Sequence, residues 1–131
     1  MKQNLLKALS AAAVLSLAAT AAQAHAALVS STPAAGAAVP STNQMKLKFN
    51  EALKPKFSGA ELTMTSMVMG GKMVNHAMKV GGLSASVDPK DAKTLLLKTS
   101  SPLAPGGYKL TWHAVTSDNH RVEGGYAFTV R

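Results

Sequence analysis

The chain has 131 residues, no cysteine, and 14 Lys plus Arg against 6 Asp plus Glu, a formal net charge of +8. Without cysteine it can form neither disulfides nor thiolate metal sites, so its stability rests on an apolar core. Its lysines are scattered along the chain, which reads as solubilising surface charge and not as a nucleic-acid footprint.

Residues 1–24 have the three parts of a secretory signal. Lys2 and Lys7 give a positive start, Leu5 to Ala19 is almost wholly apolar, and Ala22-Gln23-Ala24 is a small-residue cleavage site. The apolar run is shorter than the roughly 20 residues needed to cross a bilayer, which argues against an anchor. Cleavage after Ala24 is expected to leave one domain, His25 to Arg131, with a net charge of +6 once Lys2 and Lys7 are removed. No other apolar stretch is long enough to span a membrane, so the mature domain is expected to be exported and soluble.

Beyond the signal, apolar and polar residues alternate, and no segment keeps helical spacing for three turns. The domain therefore reads as all-β. A short first strand is predicted at Ala27 to Ser30. It is followed by Met45 to Phe49, Gly59 to Thr65, Lys72 to Val80, Thr94 to Lys98, Tyr108 to Val115 and Gly125 to Val130, about seven strands in all. Turn residues stand between them, at Thr32-Pro33, Ala35-Gly36, Pro40-Ser41, Gly70-Gly71, Gly81-Gly82, Asp88-Pro89 and Pro105-Gly106-Gly107. Short strands at this spacing predict a sandwich or barrel. Period two places Met45, Leu47 and Phe49 on one face, Tyr108, Leu110, Trp112 and Ala114 on another, and Tyr126, Phe128 and Val130 on a third; these are the expected core faces. His113 then points outward with Lys109 and Thr111. Thr32 to Thr42, rich in Ala, Ser and Pro, reads as the loosest segment.

Three features could carry chemistry. The predicted new N-terminus, His25, offers two nitrogens from one residue, its α-amine and its imidazole. Asp118 and His120, two residues apart in the loop before the last strand, can point the same way and complete a tetragonal N,O set, a geometry suited to Cu(II). Five of the six mature methionines, Met64, Met67, Met69, Met73 and Met78, lie within 15 residues, with His76 among them. Thioethers are soft, neutral donors suited to Cu(I). Strand alternation would turn Met64 and Met73 inward and leave Met67 and Met69 beside the Gly70-Gly71 turn. No Ser/His/Asp ordering, glycine-rich phosphate loop or paired-carboxylate signature is visible, so the residues do not describe an enzyme.

The mature chain resembles the CopC family of periplasmic copper-resistance proteins. The resemblance runs through His25, Leu28-Val29-Ser30-Ser31-Thr32-Pro33, Phe49-Asn50-Glu51, Phe57-Ser58-Gly59-Ala60, Asp88-Pro89-Lys90, Ser101-Pro102-Leu103 and Tyr108-Lys109-Leu110-Thr111-Trp112. Its most specific stretch is Ala114-Val115-Thr116-Ser117-Asp118-Asn119-His120. It implies a Greek-key β-barrel or sandwich, cupredoxin-like or immunoglobulin-like, with copper sites at opposite ends. The Cu(II) site would fall on His25, Asp118 and His120, and Glu51 takes the place of an acidic residue proposed as a further contact. The Cu(I) site would fall on the methionine segment and His76, although Gly70-Gly71-Lys72 spreads the thioethers further apart than in the family pattern. Ala26 and His113 stand where many relatives carry proline and arginine. The implied protein is a monomeric periplasmic copper carrier that serves a membrane copper transporter or a multicopper oxidase. The alternative is a small copper oxygenase with an N-terminal histidine brace, which would need a broad substrate face.

Overall fold

The computed structural model describes residues 26–131, so residues 1–24 and His25 lie outside the described part. Nine strands form two sheets. One sheet contains β1 (Leu28–Thr32), β3 (Gln44–Phe49), β7 (Asp91–Lys98) and β6 (Ser84–Asp88), in that order. The other runs β2 (Ala38–Val39), β9 (Arg121–Val130), β8 (Gly106–Val115), β4 (Gly59–Met69) and β5 (Lys72–Lys79). All pairings are antiparallel except β2 with β9. The chain changes sheet after β1, β2, β3, β5 and β7, which is the Greek-key pattern of connection.

Two strands go beyond the seven read from alternation. Ser84–Asp88 is an exposed edge strand of small residues, and only its last two positions are even half-buried, so it has almost no apolar period. Ala38–Val39 is too short to show one. Its presence also corrects the reading of Thr32 to Thr42 as loose, since Gly36 N–H donates to the Ala127 carbonyl at 2.7 Å and Thr129 N–H to that of Ala37 at 2.8 Å.

The core lies between the sheets, and the predicted faces supply it. Met45, Leu47 and Phe49 alternate buried with exposed Gln44, Lys46 and Lys48. Tyr108, Leu110, Trp112 and Ala114 are all buried. Phe128 and Val130 are buried, while Tyr126 is half-buried against them. Phe49 meets Trp112 edge to face with ring centroids 5.0 Å apart, and Tyr108 stacks on Phe128 at 5.5 Å. Among the described residues no helix is long and apolar enough to cross a membrane.

The indole of Trp112 needs space on the neighbouring strand. Gly124 is its register partner on β9, and a Cβ there would lie 2.5 Å from Trp112 Cζ2. Because Phe49 and the sheet hold the ring, it cannot simply swing aside. Gly124→Ala is therefore expected to destabilise the domain by about 1–3 kcal/mol, the usual cost of overpacking. Urea denaturation should show a lower midpoint at an unchanged slope. An unchanged midpoint would mean that the ring is free to move.

Candidate metal centres

The Asp118–His120 loop is closed by its own first residue. Thr116, just past β8, is fully buried and pairs with Leu53 in an isolated bridge. Its N–H donates to the His120 carbonyl at 2.9 Å, and its carbonyl accepts from Asn119 N–H at 2.9 Å. Asn119 takes a positive φ of 69°, which asparagine tolerates better than most residues. The Lys54 ammonium donates to Asn119 Oδ1. Ser117 N–H donates to the Ala52 carbonyl at 3.0 Å, so the segment after β3 braces this loop.

Within the loop the two predicted donors meet. His120 Nδ1 lies 3.0 Å from Asp118 Oδ2, with the side chains 65% and 51% exposed, so both are open to a solvent ion. The Thr116 hydroxyl donates to Asp118 Oδ1. That hydrogen bond outweighs an opposing effect of burial and, with a lesser contribution from the nearby His120 ring, holds the Asp118 carboxyl below the ordinary carboxylate range. Asp118 therefore stays ionised, as a metal ligand must.

The first described residues, Ala26 and Ala27, are held at this same end. Ala26 is buried. Ala27 N–H donates to Asn50 Oδ1 at 2.8 Å, and Asn50 N–H donates back to the Ala27 carbonyl at 3.1 Å. Asn50 leads directly into Glu51 and Ala52, and Ala52 bonds to Ser117. His25 precedes Ala27 by two residues, a reach of at most ~7 Å of extended chain. Glu51 is half-buried. Among the described residues no three His, Cys, Asp or Glu side chains gather into a ligand set, so Glu51 does not join Asp118 and His120 in one.

The methionines lie toward the other end of the larger sheet. β4 starts opposite His113 near the loop and runs 11 residues to the Gly70-Gly71 turn, about 30 Å away. Both turn glycines have positive φ, 56° and 77°, as a two-residue hairpin of this twist requires. Thr65 is an extra residue in β4 relative to β8, since Met64 faces Tyr108 while Ser66 faces Gly107. Such a bulge reverses the alternation, so Met64 and Met67 both reach the core side, where Met64 is buried and Met67 half-buried. Met64 stands directly opposite Met78. The pair lines a groove of about 400 Å³ with Pro102, Leu103 and Tyr108.

Met73 corrects the inward assignment. It pairs with Val68 on the outer side of the ribbon and is 52% exposed. β5 is the outermost strand of its sheet and all eight of its residues are exposed, so alternation there buries nothing. Met69 and Met78 are also more than half exposed, and His76 is exposed. His113 points to the outer face as expected but is half-buried, because its ring lies over Gly59, where a Cβ would sit 3.1 Å from Cε1. Sequence reasoning missed Thr116 and Lys54; each acts through a partner distant in the fold or through a hydroxyl that no pattern flags.

A two-sheet Greek-key sandwich with an imidazole–carboxylate pair at one end and a methionine ribbon toward the other belongs to the small β proteins whose donors suit borderline and soft metal ions. The sequence model of the CopC domain matches residues 28–131, and the chain belongs to the CopC family. It is 42% identical over 111 residues to Copper resistance protein C of Escherichia coli, covering 84% of each chain. It is 43% identical over 110 residues to Copper resistance protein C of Pseudomonas syringae pv. tomato, covering 84% of this chain and 83% of that one. Among solved structures it resembles PcoC, a methionine-rich copper resistance protein from Escherichia coli, with a TM-score of 0.70 and 39% identity over 82% of this chain and 100% of that one. It also resembles CopC from Methylosinus trichosporium OB3b, with a TM-score of 0.61 and 30% identity over 81% and 93% of the two chains.

Proposed function

We propose that this chain is a copper-binding protein of copper resistance, exported by cleavage after Ala24 and acting in the periplasm as a carrier. Cu(II) is held by the amine and ring of His25 with Asp118 and His120, and Glu51, which is not gathered with that pair among the described residues, becomes a further contact by turning toward the bound ion. The observation that carries this reading is the exposed Asp118–His120 pair, 3.0 Å apart, at the end of the sandwich where Ala26 and Ala27 are held. Kinship with proteins named for copper resistance supports the choice of ion.

Cu(I) is held by the methionine segment, Met64, Met67, Met69, Met73 and Met78 with His76. The Met64–Met78 cross-strand pair, with Met67 on the same face, favours these three thioethers as the set that meets one ion. Met73 serves that ion only if the ribbon twists. Binding both oxidation states suits a monomeric carrier that supplies a membrane copper transporter or a multicopper oxidase.

The protein carries copper and does not use it for catalysis. An oxygenase acting on a polymer needs an open aromatic face, whereas Tyr108 and Trp112 are buried, Tyr126 is half-buried and Phe57 is the only exposed aromatic among the described residues.

The test is the N-terminus. Adding one residue before His25 turns the amine into an amide and removes one nitrogen of the chelate. Cu(II) affinity, measured by competition with a chelator, should fall by at least about tenfold, while Cu(I) affinity stays unchanged. Equal Cu(II) affinity in the extended and native forms would rule out the terminal amine as a ligand.

A further inference from the structure

The same loop contains a group that no ligand set includes, the hydroxyl of Thr116. Thr116 is fully buried while Ser117 to Arg121 are exposed, so its side chain approaches the loop from the protein side and a metal would approach from solvent. Its hydroxyl carries one proton and gives it to Asp118 Oδ1. The same oxygen lies 3.2 Å from the His120 carbonyl, and the Thr116 N–H also binds that carbonyl, so both ends of the 116–120 segment are fixed to one buried residue.

With Oδ1 engaged by Thr116, the other carboxylate oxygen faces His120 Nδ1 at 3.0 Å. Asp118 Oδ2 and the His120 ring therefore stand side by side and exposed, where one ion can meet both. Resting on the copper-site reading above, we propose that Thr116 is a positioning residue of the Cu(II) site. Its hydroxyl holds Asp118 by Oδ1, which leaves Oδ2 to take the ion together with the His120 ring.

Partners of this kind outside the ligand shell typically contribute 10–100-fold to metal affinity. Thr116→Val keeps the shape and removes the hydroxyl. It should weaken Cu(II) binding by about 10–100-fold and alter the Cu(II) electron paramagnetic resonance spectrum, while Thr116→Ser should restore both. Cu(I) affinity at the methionine segment should not change in either variant. His120→Ala, run beside them, separates two kinds of failure. If His120→Ala weakens Cu(II) binding and Thr116→Val does not, the positioning role is wrong and the site stands. If His120→Ala binds Cu(II) as well as the native protein, the site itself is wrong and this role falls with it. Thr116→Ala removes the same hydroxyl without a branched side chain, so it gives the same reading where Thr116→Val fails to fold. Native Cu(II) affinity and an unaltered spectrum in a folded Thr116→Ala protein would overturn the proposal.

Discussion

Cu(II) affinity is expected to fall steeply with acid, approaching about three decades per pH unit once both imidazoles and the amine are protonated, because each must lose its proton to bind. An α-amine ordinarily titrates near pH ~7.7–8.0 and an imidazole near ~6.5, so the steep region lies below about pH 6. Asp118 adds no proton there. The Thr116 hydroxyl keeps its carboxyl below the ordinary range, so it remains ionised after the nitrogens have been protonated. Thioethers do not titrate at all, and His76 adds at most one proton, so Cu(I) affinity should change by no more than about one decade per unit. Competition titrations of both ions between about pH 5 and 8, with chelators corrected for their own protonation, measure the two slopes. Equal slopes would refute the division into a nitrogen site and a sulfur site.

Loss of Cu(II) in this range should not be mistaken for unfolding. Asp91 accepts from Lys93 N–H at 3.0 Å and from the Thr94 hydroxyl at 2.8 Å, which lowers its carboxyl, as Thr116 lowers that of Asp118. A carboxyl lowered in the folded state contributes stability that is present above its unfolded value near ~3.9 and is lost as pH falls through the folded value. These two groups therefore favour the folded domain across pH 5 to 8. Circular dichroism should show an intact fold at pH 5, where Cu(II) is already released.

The second large effect concerns stability. Phe49→Ala should cost about 3–5 kcal/mol, the range for emptying a buried aromatic site. Phe49 is 1% exposed, sits edge to face on Trp112 and ends the strand that leads into the Asn50–Leu53 brace. Domains of this size are stable by about 5–15 kcal/mol, and a chain without cysteine has no cross-link to offset the loss. The melting temperature should fall by more than about 10 °C. The copper-free protein is the form to melt, since bound metal would stabilise the folded state. A loss below about 1 kcal/mol would show that the site collapses around the smaller side chain.

Much of the fold was legible because half-buried strands write their burial as period two. Met45, Leu47 and Phe49, and Tyr108 through Ala114, were assigned to the core on that pattern alone and are buried. The pattern fails where one face does not meet the core. β5 is exposed throughout, so Met73 followed the alternation and still faces outward. β6 has almost no apolar period and β2 is too short to show one.

The candidate site divides in the same way. Residue chemistry pointed to Asp118, His120 and the methionine segment, since the donor atoms and their local spacing are properties of the chain. Family resemblance brought Glu51 to notice, and the described residues do not gather it with the pair. Only the tertiary structure could show that Ala27 meets Asn50 and that Ala52 and Leu53 meet Ser117 and Thr116, because those contacts join residues more than 20 and more than 60 positions apart. Only the register, shifted at Thr65, could decide that Met64 faces Met78 and that Met67 returns to the core side. Sequence alone determined which atoms are available to a metal, because side-chain chemistry is local. Folding decided which of them share a face, because a single extra residue in a strand reverses the face of every residue beyond it.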